Sequence, residues 1–406
     1  MDASYFSNAS AAFTSQQTLL QALQAELASG QAVQTAGANP AAYTGAAYDA
    51  SQVQQLQSEQ GSQTNLQARL GIATNTLSQA NVILDQIQTI ALQAINATTS
   101  GADYQALSEQ VGQAAQQLVS LGNTQGTQGN YIFAGSTSGV QPFVQSASGS
   151  VSYVGNEGQS RVQISPDISV NTALNGSTFM NGYSGNGYAS VSASSKNTGT
   201  ATVLSTGIND QSMASSFQEG SAPIAVVFAV NALGKTTYTA SQSGATIGSG
   251  AVGSANTSTS IALRGMEFEI SGQPASGDTF TIAPSRPQSV FALATTIQSA
   301  LASAGSTPAE RAQTAQMLGN ALGGLTEYQQ RFSSSNAKIG LVVKSSIEAA
   351  TNNTQLSTTL QTNQSNLTSA NIPQTLTEIE QQTAALQASY KAFSVVSGLG
   401  LFQYIS

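Results

Sequence analysis

Two groups of residues have the types and spacing found in cofactor or catalytic sites. Gly248, Gly250 and Gly253 follow the G-x-G-x-x-G spacing of a turn that binds dinucleotide phosphates. Glu267 and Glu269 are two residues apart, so on a strand both carboxylates would point to one face, like a catalytic acid–base pair. Each pattern can support chemistry only in a particular structural setting.

The setting of both motifs argues against chemistry. After Gly253 the sequence predicts a strand, whereas a nucleotide site needs a helix whose N-terminus holds the pyrophosphate. Solvated strand positions give the spacing of the two glutamates far more often than active sites do. The chain also lacks His, Cys and Trp, which removes Ser-His and Cys-His pairs and zinc ligation by nitrogen or sulfur. We therefore expect no enzyme activity, no cofactor and no metal.

The composition sets further limits. With 406 residues, 40% of them hydrophobic, the chain is long enough for two to four packed domains. Only 7% of residues are charged, and a net charge of -8 disfavours nucleic acid and anionic membranes as partners. The first ten residues lack the pattern of a secretory signal, and no apolar run reaches the ~18 residues of a spanning helix.

Apolar residues recur with helical spacing in three stretches near the start of the chain. The first stretch stops at Ser29–Gly30, and its apolar face consists of Phe13, Leu20, Leu23 and Leu27. The second follows Pro40 and carries a heptad seam made of Leu66, Leu70, Ala73, Leu77, Ala80, Leu84, Ile87, Ala91 and Ala94. The third, from Leu107 to Leu121, is predicted to be its antiparallel neighbour.

From Gly129 the sequence changes to short β-branched and aromatic runs separated by Gly, Ser and Asn, which is typical of antiparallel sheet. The runs that predict strands are Tyr131–Phe133, Val151–Val154, Arg161–Ile164, Ile224–Val230, Met266–Ile270 and Thr279–Ile282. Between Asn175 and Phe217 a loop fits the composition as well as strands do. Helical periodicity returns at Val290 and continues to Leu360.

The order of helices, strands and helices predicts an elongated α+β molecule. Its N- and C-terminal helices would form a coiled-coil-like bundle, and a mainly antiparallel β lobe would lie between them in sequence. The predicted segments are an N-terminal assembly helix and turn (1–48), the two halves of a helical stem (49–128 and 286–370), the β lobe (129–285) and a C-terminal assembly helix (371–406).

The last segment is an apolar-striped helix that runs almost to the end of the sequence, where a single domain usually ends in polar residues. A Leu or Phe contributes roughly 1.5 to 3 kcal/mol only if something covers it. The seams of the second and third helices could belong to an ordinary intramolecular bundle, but the two end helices have few partners nearby in sequence. We predict an assembly interface made of Phe13, Leu20, Leu23, Leu27, Ile372, Leu376, Ile379, Leu386, Tyr390, Phe393, Leu399, Leu401 and Phe402.

Several blocks resemble the flagellar hook-filament junction family, whose members are relatives of flagellin. Leu23–Gly30, followed by Asn39-Pro40-Ala-Ala, resembles the first helix and turn of that family. The C-terminal run Leu386–Phe393 with Leu399–Phe402 is the most specific block, because flagellin tails tend to differ there. The blocks at the entry to and the return from the β lobe are Gly129–Gly135, Pro142–Phe143, Tyr153–Gly155, Gly265–Gly272 and Gly277–Phe280.

The resemblance implies a flagellin-like fold and a structural, non-enzymatic adaptor. Such a protein is exported unfolded through the flagellar type III channel, without a cleaved signal peptide, and forms a ring outside the cell at the hook-filament junction. The implied partners are further copies of this chain, another hook-associated protein on the hook side, flagellin on the filament side and an export chaperone. Neither nucleic acid nor membrane is implied.

Two alternatives stay open at this stage. A flagellin or minor flagellin would form the filament itself, and an extracellular binding module would display the β lobe on a helical stalk. Loss of about ten C-terminal residues would abolish assembly of an adaptor and leave a binding module active. We also expect the two ends of the dilute monomer to be cleaved by proteases more readily than the region from about Leu66 to Leu360.

Overall fold

The computed structural model of the chain describes residues 3–96, 101–147, 149–158, 161–166, 168–171, 174–253 and 257–402. The helices within these residues are α1 (Ala3–Ser29), α2 (Pro40–Asn96), α3 (Gly101–Gly122), α4 (Ser177–Met180), α5 (Gln211–Gln218), α6 (Val290–Ala302), α7 (Pro308–Thr368) and α8 (Ile372–Phe402). The chain divides into a terminal unit (1–62, 164–167 and 347–406) and a central unit (63–163 and 168–346). Helices α2 and α7 contribute residues to both units.

The strands within the described residues are β1 (Phe143–Gln145), β2 (Val151–Tyr153), β3 (Arg161–Ser165), β4 (Ile168–Asn171), β5 (Gly182–Tyr183), β6 (Ala189–Ala193), β7 (Thr202–Ile208), β8 (Ile224–Val230), β9 (Thr236–Gln242), β10 (Ala245–Ala251), β11 (Thr259–Leu263), β12 (Met266–Ser271), β13 (Thr279–Pro284) and β14 (Pro287–Gln288). Terminal helices with antiparallel sheets between them confirm the predicted α+β class. Helix α2 runs without interruption through residue 48, where the sequence suggested a segment boundary.

Local sequence sets the ends of the helices in the terminal unit. α1 is followed by Gly30, whose φ of +68° glycine adopts without strain, and the Gly30 N–H donates to the Glu26 carbonyl at 2.8 Å. The side chain of Asn39 accepts a hydrogen bond from the Ala42 N–H at 3.1 Å, and Pro40 occupies the first position of α2. The predicted stop of the first helix and the predicted start of the second are thereby confirmed.

The heptad seam of α2 is the core of the helical part of the central unit. Its predicted members from Leu66 to Ala94 are all exposed by 3% or less. Helix α7 lies antiparallel to α2 here, since the Gln329 amide donates to the Asp85 carboxylate at 2.6 Å and the Asn336 amide to the Ser78 hydroxyl at 3.4 Å. This seam is therefore covered within the chain, as an intramolecular bundle requires.

The two larger antiparallel sheets of the central unit share an apolar core. The larger sheets have the orders β10-β9-β8-β13-β6 and β11-β12-β7, and their inward residues include Val203, Ile224, Val226, Phe228, Met266, Phe268, Ile270, Phe280 and Ile282. Five of the six predicted runs are strands. The exception is Tyr131–Phe133, which is a turn that places Ile132 and Phe133 in the core.

Two features turn the chain at Tyr131–Phe133. Gly129 and Gly135 have φ values of +76° and +71°, and the Arg69 guanidinium on α2 donates to the Ile132 carbonyl at 3.2 Å. Burial lowers the pKa of this guanidinium from its usual value. The short apolar run therefore serves as an anchor for the helices, which its composition alone could not distinguish from a strand.

The Ser-, Gly- and Asn-rich stretch 175–217 contains ordered elements, including β6 and β7. The side chain of Gln316 on α7 forms hydrogen bonds with the backbone of both strands. This side chain is 1% exposed. Its amide oxygen accepts from the Val203 N–H at 2.7 Å, and its amide nitrogen donates to the Val203 and Val191 carbonyls at 2.8 and 3.3 Å. A partner more than a hundred residues away thus supplies the hydrogen bonds that a short polar strand lacks locally.

Candidate assembly surface

Helices α1 and α8 form an antiparallel pair in the terminal unit. Near the end of α1 the Glu26 carboxylate accepts a hydrogen bond from the Thr375 hydroxyl, at the start of α8, at 3.0 Å. Near the other end the ring of Phe13 stacks on Tyr390 with centroids 4.8 Å apart and meets Phe393 edge-on at 5.6 Å. Helices α1 and α8 therefore contact each other, as predicted from the order of helices, strands and helices along the chain.

Backbone contacts fix the base of this helix pair. The segment after α1 bridges the connection between α7 and α8, with the Ala32 N–H donating to the Thr368 carbonyl at 2.8 Å and the Ala370 N–H to the Gly30 carbonyl at 2.9 Å. Since these bonds involve only main-chain groups, they position α1 and α8 whatever side chains the two helices carry.

The pair covers its own apolar seam only in part. Of the predicted interface residues on α1, Leu23 is buried at 7% exposure, and Phe13, Leu20 and Leu27 are half-buried. On α8, Ile379, Leu386 and Phe393 are half-buried, while Ile372, Leu376 and Tyr390 are 42%, 47% and 51% exposed. The backbone of Leu399, Leu401 and Phe402 belongs to α8, but their side chains lie outside the described residues.

Further apolar groups on these helices were not predicted from the sequence. Leu19 on α1 is 46% exposed and Val395 on α8 is 62% exposed. On α1 a shallow groove runs past Ser7, Ala11, Thr14 and Leu19. The Thr14 hydroxyl donates to the carbonyl of the residue four positions earlier in its own helix, so this polar side chain is already satisfied before any partner covers it. In the sequence, the signal that could have indicated this surface is the run of small and hydroxyl-bearing residues without charge.

Charged groups contribute little to this surface. The ion pair found within the described residues joins Arg331 to Glu327 at 3.1 Å and belongs to the central unit. Glu26 is the charged residue of α1, and α8 carries Glu378, Glu380 and Lys391. The exposed surface of this helix pair is therefore mainly apolar or uncharged.

The two motifs with possible chemistry lie elsewhere, on strands of the central unit. Gly248 and Gly250 belong to β10 and pair with Ala240 and Tyr238 of β9, so these glycines lie in a sheet rather than at a helix N-terminus. Glu267 and Glu269 lie on one face of β12, alternating with its buried residues, and the Ser260 hydroxyl donates to Glu267.

Metal centres and membrane-spanning helices are two other kinds of functional feature that such a structure can contain. Within the described residues, no group of three or more acidic, His or Cys side chains is arranged to hold a metal ion. None of the helices described here is long and apolar enough to cross a membrane.

Comparisons with known proteins fit this architecture. Residues 4–138 match the bacterial flagellin N-terminal helical region. The crystal structure of FlgL from Xanthomonas campestris is 29% identical, with a TM-score of 0.64 over 75% of this chain and 98% of that chain. Hook-associated protein 3 from Legionella pneumophila shares the fold at 24% identity, with a TM-score of 0.70 over 78% of this chain and 98% of that chain. No curated protein matches the sequence.

A helical N-terminal region of flagellin type, a terminal helix pair and antiparallel sheets that lie between these helices in the sequence define a flagellin-like class of protein. Within that class the chain is FlgL-like, which confirms the resemblance to the hook-filament junction family.

Proposed function

We propose that this chain is a structural adaptor of the bacterial flagellum, which joins the hook side to the flagellin filament and polymerises through α1 and α8. The observation that carries the proposal is the partly covered seam of this helix pair. Nine apolar residues of the seam stay half-buried or more exposed after the two helices have packed, and additional helices from neighbouring subunits would cover them. Burial of each large apolar side chain contributes roughly 1.5 to 3 kcal/mol to such an assembly.

The proposed interface consists of the thirteen residues predicted from the sequence, extended by Leu19 and Val395. A two-helix pair offers each seam residue one neighbouring helix, whereas a bundle of helices from several subunits surrounds it. The absence of ion pairs between α1 and α8 among the described residues fits an interface in which apolar area supplies the affinity.

We also propose the partners of the chain, its location and the roles of its segments. Its partners are further copies in a ring, another hook-associated protein on the hook side, flagellin on the filament side and an export chaperone. It acts outside the cell, reaches that position without a cleaved signal peptide, and has no enzymatic role. Residues 1–48 and 371–406 form the assembly segments, 49–128 and 286–370 the stem, and 129–285 the outer lobe.

The test is a pair of matched surface substitutions in the full chain. L376D with Y390D places two charges on side chains that are already 47% and 51% exposed, so the isolated chain should keep its fold. Loss of the Phe13–Tyr390 stacking should lower its stability by only about 1 kcal/mol. L233D changes a leucine that is 92% exposed in the turn between β8 and β9 and serves as the control. Both variants would be expressed in a motile host that lacks the native gene.

We expect the L376D/Y390D variant to be exported but lost from flagella, and the L233D variant to assemble like the wild type. Retention of L376D/Y390D on flagella at the wild-type level would reject the proposed interface, and equal loss of both variants would mean that the effect is not specific to α8.

A further inference from the structure

In the terminal unit the helical seam between α2 and α7 contains a buried polar pair. On α2 the buried positions of this unit include Val53, Leu56 and Glu59, and on α7 Ala349 is followed four residues later by Asn353. Glu59 is 7% exposed and Asn353 is 4% exposed. Both polar residues therefore occupy places that a leucine or alanine fills elsewhere in the same helices.

Asn353 is the centre of a hydrogen-bond network that joins three elements. Its amide nitrogen donates to the Glu59 carboxylate at 3.3 Å and to the Ile164 carbonyl on β3 at 3.1 Å. Its amide oxygen accepts from the Ser165 hydroxyl at 3.2 Å. The other carboxylate oxygen of Glu59 accepts from the Gln55 amide, one turn earlier on α2, at 3.2 Å. The network thus ties α2, α7 and β3 together.

Glu59 is held by amides and not by a basic side chain. Among the described residues the ion pair found is that of Arg331 with Glu327, and it does not involve Glu59. Burial of a carboxylate without a cation costs free energy that an apolar pair would not. In coiled coils, a single buried polar residue with this kind of cost specifies the register of the helices.

The positions of the contacts show why register needs a specific determinant here. The position of a Cβ on Gly45 lies 3.2 Å from Leu367 Cδ1, and the Glu59–Asn353 contact follows two heptads later on α2 and two heptads earlier on α7. A slip of one heptad would bring another seam residue of α7, such as Leu360, opposite Glu59. Apolar seam positions tolerate such a slip because heptads repeat. The slip would, however, separate the Glu59 carboxylate from its amide donor, and an unsatisfied buried carboxylate costs free energy.

We propose that Glu59 and Asn353 form a register lock: they fix the antiparallel alignment of α2 and α7 in the terminal unit and attach β3 at the same position. They are positioning residues, and the inference is independent of the proposed flagellar role. We expect the Glu59–Asn353 pair to lower the stability of the chain relative to an apolar pair at the same positions, and to exclude the slipped alignment of α2 and α7.

The test uses thiol cross-linking, because the chain has no cysteine of its own. The pair G45C/L367C reports the native register, and Q52C/L367C reports the slip of one heptad that places Leu360 opposite Glu59. Each pair is placed in three backgrounds: the native sequence, E59Q, which keeps an oxygen acceptor for Asn353, and E59L/N353L, which makes the pair apolar. Circular dichroism and thermal melting accompany each variant.

We expect cross-linking only in the native register for the native sequence and for E59Q. In E59L/N353L the ratio of native to slipped product should fall about tenfold or more, while the melting temperature is maintained or raised. Exclusive native cross-linking in E59L/N353L would overturn the proposal. So would failure of that variant to fold, because the pair would then be needed for stability rather than for register.

Discussion

Phe13 stacks on Tyr390 with ring centroids 4.8 Å apart and ring planes within 10° of parallel, although the two residues lie near opposite ends of the chain. Phe393 meets the same Phe13 ring edge-on, at 5.6 Å and 86°. Aromatic pairs of this kind contribute about 0.5 to 1.5 kcal/mol beyond the area they bury. Neither end helix therefore has its full set of contacts until the other is in place.

Removal of the Phe13 ring should affect assembly more than the stability of the isolated chain. Because Phe13 is only half-buried, F13A is expected to lower the free energy of unfolding by about 1 kcal/mol. The control F332A removes a fully buried ring from the central unit and should cost about 3 to 5 kcal/mol. Chemical unfolding would measure both values, and incorporation into flagella would measure assembly. An F13A variant that assembles normally would contradict the role of this ring in the interface.

Two glycine-to-alanine substitutions in the terminal unit should have opposite effects. Gly30 has a φ of +68°, so G30A should destabilise the chain by about 1 kcal/mol. Gly61 lies within helix α2, with no atom within 4 Å of an added Cβ, so G61A should stabilise it by about 0.5 to 1 kcal/mol. Thermal melts of the two variants provide the measurement. A G30A variant as stable as the wild type or more stable would show that the end of α1 does not depend on this backbone conformation.

Tyr328 should make the central unit sensitive to alkaline pH. Its hydroxyl is buried, accepts from the Gly182 N–H at 2.8 Å and donates to the Gln288 carbonyl at 2.7 Å, and burial raises its pKa well above the usual value near 10. Above about pH 10 the unfolded chain loses a proton that the folded chain keeps. Stability should therefore fall as pH rises, by up to about 1.4 kcal/mol per pH unit.

The Y328F variant tests this dependence. Its stability should be lower near neutral pH, because the hydrogen bonds to the hydroxyl are lost, but its alkaline slope should be shallower than that of the wild type. Y48F, at a tyrosine that is 63% exposed, provides the control. Denaturant unfolding at several pH values between about 8 and 11 would measure the slopes. Identical slopes for the wild type and Y328F would assign the alkaline effect to other groups.

Limited proteolysis should distinguish the end helices from the seam of the central unit. The seam residues Leu66 to Ala94 are exposed by 3% or less, whereas the seam of α1 and α8 is mostly half-buried or exposed. Cleavage of dilute monomer is therefore expected first within residues 3–29 and 372–402, and assembly should protect both ranges. Protection of these ranges in dilute monomer equal to that of the α2 seam would contradict coupled folding and assembly of the ends.

The sequence predicted the helices because their signals are local. Heptad spacing from Leu66 to Ala94 required a covering helix, and Gly30 and Pro40 marked helix boundaries through their own backbone preferences. The same reasoning predicted most of the strands with alternating apolar residues, such as Ile224–Val230. The pairing of the two end helices followed from the order of helices, strands and helices along the chain.

The features that the sequence did not predict depend on distant partners. Strands β6 and β7 form in a polar stretch because Gln316 of α7 completes their hydrogen bonds, and Tyr131–Phe133 turns because Arg69 binds its carbonyl. The burial of Glu59 was also not predicted, because a charged residue interrupts an apolar pattern and its partner Asn353 is distant in sequence. Composition and periodicity describe neighbours along the chain, and these contacts join segments more than sixty residues apart.

The most direct test of the adaptor role is to delete the gene in its motile host and compare flagellin in the culture medium with flagellin on the cells. If the chain is the junction adaptor, flagellin is abundant in the medium and the cells keep bare hooks, and both effects are reversed when the wild-type gene is restored. Filaments that remain attached to the deletion strain would contradict the junction role.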